Sequence, residues 1–301
     1  MSGFTLLDAG MRLALKQISA PFMPPRTTAL ALVEDPDLIC RVHARSINAG
    51  VGIIRANSHE PLSKYVGEKR FGLNVDQLAS LAGELARQAA RNCARAIRVA
   101  GPLPVNARAD YSARGSSKDR DRTLSLLVKG LSPYVDMWMA EHLANTEDLL
   151  GFELALRGDG KPRWASFGVR RHHDDELRAT LQSGEAVEDA VIASLSSGVT
   201  AILLEGHCPD ALACALTEAR NVLRREDVDV PLGVLLRDFD PGAKTGGSRI
   251  RGTADCPSWD DRIDQWLPLG ATLIGGYDGS TAEERTTSGR MRHKENSPCH
   301  F

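Results

Sequence analysis

Eight short, nearly continuous apolar runs recur along the chain, separated by stretches of helical character. They are FTLLDAG (4–10), VGIIRAN (51–57), AIRVAGPLP (96–104), DMWMAEHL (136–143), RWASFGV (163–169), TAILLEGHC (200–208), PLGVLLRD (231–238) and TLIGGYDG (272–279). A strand that is apolar on both faces belongs to a parallel sheet, because crossover helices cover each side of it. Strand and helix repeated eight times predict an α/β fold, the (β/α)8 TIM barrel, with residues 1–301 as a single domain. A doubly wound open sheet is the alternative that the pattern alone leaves.

The clearest helix is NVDQLASLAGELARQAARNCARAIR (74–98), rich in Ala, Leu, Glu and Arg, with Asp76 standing where a cap would. Others are read at 35–50, 146–158, 185–198, 208–224 and 282–292; several end at glycine, a usual residue just past a helix. Two long polar loops, 105–121 and 238–258, each follow a strand. In a barrel such loops lie on the face where ligands bind, as lids or as surface decoration.

A net charge of −2 gives no global attraction to nucleic acid or to an anionic membrane. No apolar stretch approaches the length of a membrane span. Six cysteines (Cys40, Cys93, Cys208, Cys214, Cys256 and Cys299) stand without a CxxC pair, which reads as reduced thiols in the cytoplasm. The first residues lack the charged start and cleavage site of a signal peptide. Small molecules are therefore the expected partners.

Barrel chemistry gathers where strands end. Strand one ends in Asp8, strand two in Asn57, strand four in Glu141 and His142. Strand six ends in Glu205, His207 and Cys208, and strand eight in Tyr277 and Asp278. Each alone reads as a cap or a salt bridge; together on one rim they read as a shared site. Cys208 precedes Pro209 at a helix start, where the helix end favours thiolate, so it is a candidate zinc ligand or nucleophile. RRHHDDE (170–176) places two histidines side by side, and neighbours in sequence do not share a helix face. A solvated helix start is expected there. GGYDG lacks the spacing and lysine of a phosphate loop.

LLDAGM (6–11) resembles the opening L-D-G-G-x of the homocysteine S-methyltransferase family, and VAGPLP (99–104) resembles its V-A-G-S-x-G-P. TTALALVEDPDLICRVHARSINAGVGIIRANSHE is similar to the stretch written A-L…P-x-x-V…H…Y…A-G-A-D-I-I-x-T-N-T. VDMWMAEHLANTEDLL resembles D-x-x-x-x-E-T…E, ILLEGHCPDALACAL resembles G-x-N-C-x-x-P, and GATLIGGYDGSTAEE resembles G-A-x-I-I-G-G-C-C-G-T-T-P-E-H. The resemblance covers residues 4–290 in order, and it implies one homocysteine-binding-type barrel.

That resemblance implies transfer of a methyl group from an onium donor to the sulfur of homocysteine or a related thiol, with a zinc ion held by three cysteines. Cys208 takes the first thiolate position, Glu141 the strand-four carboxylate that holds the amino group, and Asp8 the strand-one acid. Asn57 matches the Asn of T-N-T, although Ala56 and Ser58 replace its threonines; His142 and Tyr277 join the substrate set. The strand-eight Cys-Cys is replaced by Tyr277-Asp278, which makes a degenerate metal site. Asp278 and His207 are the substitute donors beside Cys208, with Cys256 a further one, since zinc accepts N, O and S. The loss of two thiolates leaves two other readings: a divergent zinc-independent enzyme on the same barrel, and a non-catalytic binding protein.

Overall fold

The computed structural model describes residues 3–11, 14–15, 27–58, 74–105, 117–171, 178–237 and 259–276. Each of the eight apolar runs carries all or most of a strand: β1 (Thr5–Leu6), β2 (Ile53–Arg55), β3 (Arg98–Leu103), β4 (Met137–Leu143), β5 (Arg163–Arg171), β7 (Ala201–Gly206), β8 (Leu232–Leu236) and β9 (Ala271–Gly275). A ninth strand, β6 (Ala179–Leu181), is not visible in the apolar pattern and pairs antiparallel with the end of β5, Val169 opposite Leu181. The helices among the described residues are α1 (Thr27–Glu34), α2 (Pro36–Asn48), α3 (Val75–Arg91), α4 (Ser117–Leu131), α5 (Asp148–Ala155), α6 (Val187–Ser196), α7 (Pro209–Arg225) and α8 (Trp259–Trp266). This alternation with parallel strands is the (β/α)8 barrel architecture. No described helix is long and apolar enough to cross a membrane.

The chain divides into two compact units. One holds β5 to β9, α6 to α8 and residues 140–143 of β4. Its parallel strands β5, β7, β8 and β9 pair in that order, with Gly168 opposite Glu205 and Glu205 opposite Leu235. Every residue of β7 and β8 is buried, which is why these runs are apolar on both faces. Phe167, Leu203, Leu204, Val234, Ile274 and Trp266 fill its core, and burial of a large apolar side chain stabilises by roughly 1.5–3 kcal/mol. Gly276, at φ +94, closes the end of β9; a Cβ there would lie 1.9 Å from the Leu236 carbonyl oxygen.

The other unit holds β2, β3, residues 137–139 of β4 and α1 to α4. Ile53 pairs with Arg98 across β2 and β3, and Leu7 bridges to Ile53 in the same parallel sense. Helix α3 buries Val75, Leu78, Ala79, Ala82, Leu85, Ala86 and Ala89, a stripe at three- and four-residue spacing. The helix begins two residues earlier than an Asp76 cap requires. Asn74 is the cap residue, and its backbone N–H donates to Gln77 Oε1 at 2.8 Å. Asp76 instead accepts from Lys129 Nζ at 2.7 Å, joining α3 to α4.

Three further expectations are corrected. Residues 117–121 open α4 rather than close a loop, because the charged start SKDRDR leads into the apolar TLSLLVKGL. Residues 92–98 leave α3, and Arg98 already belongs to β3. Arg170 and Arg171 continue β5 instead of starting a helix, since β6 pairs with them. His172, His173 and the rest of that segment, like the expected helix at 282–292, lie outside the described residues.

Candidate active site

The first unit gathers polar side chains where β4, β5, β7 and β8 end. Glu205 is the fifth of six buried residues in β7 and is 5% exposed. A carboxylate so placed is tolerable only with partners. The Ser166 hydroxyl donates to Oε2 at 2.9 Å. Ser166 stands two residues before Gly168, which faces Glu205 across the β5–β7 ladder, so the two share a sheet face. The Arg237 guanidinium meets Oε1 through Nη1. Arg237 follows the last residue of β8, and its backbone N–H donates to Gly206 O at 2.9 Å, extending the ladder one step. Burial alone would push the Glu205 carboxyl up, but Arg237, His142 and the Ser166 hydroxyl hold it well below the usual carboxylate range.

His142, near the end of β4, has φ +60, a left-handed conformation that is uncommon for a residue with a Cβ. The turn brings Nδ1 to 3.2 Å from Arg237 Nη1 and Nε2 to 3.5 Å from Gln182 Nε2. Nδ1 stands 3.6 Å from Glu205 Oε2, too long for a hydrogen bond. Gln182 passes over Gly168, where a Cβ would come within 2.8 Å of its amide nitrogen. Glu141, the residue before His142, is buried at 6% exposure.

Cys208 caps α7 in the same unit. Its Sγ accepts from Arg171 Nε at 3.2 Å, and Arg171 Nη2 also donates to Asp210 Oδ2 at 2.8 Å. Cys40, Cys93, Cys208 and Cys214 are free thiols; burial pushes the Cys40 and Cys214 thiols up. His207, between Glu205 and Cys208, is exposed.

The second unit holds Asp8 and Asn57. One arginine occupies both oxygens of the Asp8 carboxylate: Arg55 Nε donates to Oδ1 at 2.7 Å and Arg55 N to Oδ2 at 2.9 Å. Asn57 is buried and donates to Thr28 O at 3.0 Å, tying β2 to α1. His43 of α2 is buried with no hydrogen-bond partner at Nε2 among the described residues, and burial lowers it to about 4 against the pull of Asp8. Tyr277, Asp278 and Cys256 lie outside the described residues.

A sequence model of the family described as homocysteine S-methyltransferase matches residues 5–284. The chain belongs to the homocysteine S-methyltransferase family. Membership places it among methyltransferases. Its fold is similar to that of the homocysteine methyltransferase MmuM from Escherichia coli. The metallated form has a TM-score of 0.70 at 22% identity, with 94% of each chain covered. The apo form has a TM-score of 0.66 at 21% identity, covering 94% of this chain and 93% of that one. The carboxyl transferase domain of Rhizobium etli pyruvate carboxylase with pyruvate is similar more distantly, with a TM-score of 0.54 at 11% identity over 91% of this chain and 40% of that one. No curated protein sequence matches the chain.

Against the family pattern G-x-N-C, Glu205 stands at the glycine and His207 at the asparagine. Three groups of the site escaped the sequence reading: Ser166, Arg171 and Arg237. Arg237 carried a signal, a charged residue directly after the apolar LGVLL, but the run was extended through it. Zinc is the metal that the family implies. Among the described residues no three His, Cys, Asp or Glu side chains are placed to hold a metal ion. Cys208 Sγ already receives a guanidinium N–H, and a cation beside the sulfur opposes a second cation there.

Proposed function

We propose that the chain, working as one domain over residues 1–301, moves a methyl group from an onium donor to the sulfur of homocysteine or a related thiol, beside a degenerate zinc site. The observation that carries this reading is the family match over residues 5–284. The buried carboxyl of Glu141 at the end of β4 supports it. In this reading Glu141 and Asp8 serve the acceptor's ammonium group, Asn57, His142 and Tyr277 complete the substrate set, and Cys208 serves the reacting sulfur. Cys208, Asp278 and His207 are the residues left to hold a metal.

The reaction balances without a further reactant. The acceptor S–H releases its proton to solvent, the sulfur forms a bond to the methyl carbon, and the carbon–heteroatom bond of the onium donor breaks. The bonding pair stays with the donor heteroatom, which leaves neutral. Positioning and charge placement are the protein's share of the barrier.

A zinc-independent enzyme on the same barrel is the second reading. It is favoured by the Arg171 contact to Cys208 and by Tyr277-Asp278 in place of two cysteines. The test is product analysis with homocysteine and isotope-labelled S-methylmethionine, betaine or S-adenosylmethionine, alongside metal content of the wild type and Cys208→Ser. Labelled methionine from any donor supports methyl transfer, and none from all three sinks it. Stoichiometric zinc that Cys208→Ser abolishes removes the second reading.

A further inference from the structure

We propose that Gln182, carried by the turn after β6, is a positioning residue of the reaction: it holds the His142 imidazole in place, and Gly168 is glycine to admit it. The proposal rests on the methyl-transfer reading, which puts His142 in the substrate set, and adds the group that fixes that ring.

The turn is braced by backbone before its side chain is considered. Leu181 N donates to Glu185 O at 2.9 Å, and Gly184 at φ +103 makes the tight bend. Gln182 N donates to Gly168 O on β5, and Ser183 N to Ala144 O just past β4, both at 2.9 Å. Thr146, in the segment after β4, donates to Glu185 through N and Oγ1, each at 3.0 Å. These bonds seat the turn on the ends of β4 and β5 without help from the Gln182 side chain.

That side chain nevertheless lies flat on β5. A Cβ at Gly168 would meet Gln182 Nε2 at 2.8 Å, Cδ at 2.9 Å and Cγ at 3.1 Å. The φ of Gly168 is not positive, so its conformation does not demand glycine; the space does. Glycine inside a strand marks a close approach of this kind. The far end of Gln182 then stands 3.5 Å from His142 Nε2, while Arg237 Nη1 stands 3.2 Å from Nδ1. The ring is met at both nitrogens, and its side chain is still 31% exposed.

Three unfavourable local choices converge here. A glycine weakens β5. An exposed glutamine is ordered at a cost in rotamer entropy. A histidine takes φ +60. Local rules broken together, at the strand ends of a barrel, mark a place kept for function rather than for stability.

The test uses the full chain in two arms. The first is nuclear magnetic resonance of ring-15N histidine, with the His142 signals identified by their loss in His142→Gln. Gln182→Glu puts a carboxylate beside Nε2 and should move the His142 midpoint upward by about one pH unit. Arg237 and Glu205 face the ring in both proteins, so the difference reports residue 182. An unchanged midpoint overturns the proposal.

The second arm is methyl transfer. Gln182→Ala should lower kcat/KM by about tenfold or more. Gly168→Ala should do the same, since its Cβ displaces the flexible end of Gln182 into solvent and leaves the backbone in place. The double variant should be no worse than either single one, because both act through one contact. Wild-type kcat/KM in Gln182→Ala, or losses that multiply in the double variant, overturn the proposal and leave the methyl-transfer reading standing. A raised midpoint in a protein that transfers no methyl group sinks that reading and keeps Gln182 as the holder of His142.

Discussion

Arg237 Nη1 and Glu205 Oε1 meet between two neighbouring strands of one unit, although the residues are 32 apart in the chain. The β7–β8 register makes the meeting: Glu205 faces Leu235, and Arg237 continues the ladder by donating to Gly206 O. The carboxylate is sunk and the guanidinium is not, so the two substitutions are unequal. Arg237→Ala leaves a buried charge without its main partner and is expected to cost about 3 kcal/mol. The double Glu205→Gln/Arg237→Gln variant removes both charges and should cost clearly less. Urea unfolding of both measures the difference, and equal losses would show that the pair does not carry the effect.

The same pair predicts an acid limb. The folded-state affinity of Glu205 for protons is depressed. Its contribution is therefore complete above the ordinary glutamate range, near 4.3, and is lost as pH falls below it. Glu205→Gln should flatten the decline in unfolding free energy below about pH 4.5. An unchanged acid limb contradicts the assignment.

His43 titrates in a different window. It is buried neutral and lowered to about 4, against 6.5 unperturbed. The unfolded chain binds more protons between these values, so stability rises with pH across that interval and is fully present above it. The shift corresponds to about 3 kcal/mol, to order of magnitude. Replacing His43 with Gln should remove this slope, whatever it does to the absolute stability. Unfolding midpoints at pH 4.5, 5.5 and 7 test the claim.

Arg55 holds Asp8 through the side chain and the backbone, with side-chain exposures of 13% and 7%. Arg55→Met strands a buried carboxylate and is expected to cost about 3 kcal/mol. Adding Asp8→Asn should recover part of that loss. A double variant no better than the single one would mean that the arginine acts through packing alone.

Gly276 and Gly184 both have positive φ, at +94 and +103. A Cβ at Gly276 would overlap Leu236 O, but at Gly184 the nearest atom is Arg170 Nη2 at 3.8 Å. Alanine at Gly184 should cost about 1 kcal/mol, from conformation alone. Alanine at Gly276 should cost more than twice that, because backbone must also move. Thermal melts of the two variants give the ranking.

The apolar runs were legible because burial on both faces leaves an unbroken stretch, as in AILLEG of β7. Strand β6 was not, since ATL is three residues long and its role is decided by pairing with Arg170 and Arg171. Helix α4 was hidden by SKDRDR, which reads as a loop until its apolar continuation is included. Within the site, the position of Glu205 at a strand end was visible, but its partner was not. Which charged residue meets it depends on strand register, and register is a property of the assembled sheet. Likewise Arg171 reaches Cys208 only because β5 runs two residues past its apolar run.

The backbone turn at His142 sets two selective pressures against each other. Glycine would relax that torsion without penalty, so screening for heat tolerance alone should enrich it there. Screening for methyl transfer should keep the imidazole that meets Arg237, and the two lineages would diverge at this codon before most others on the rim.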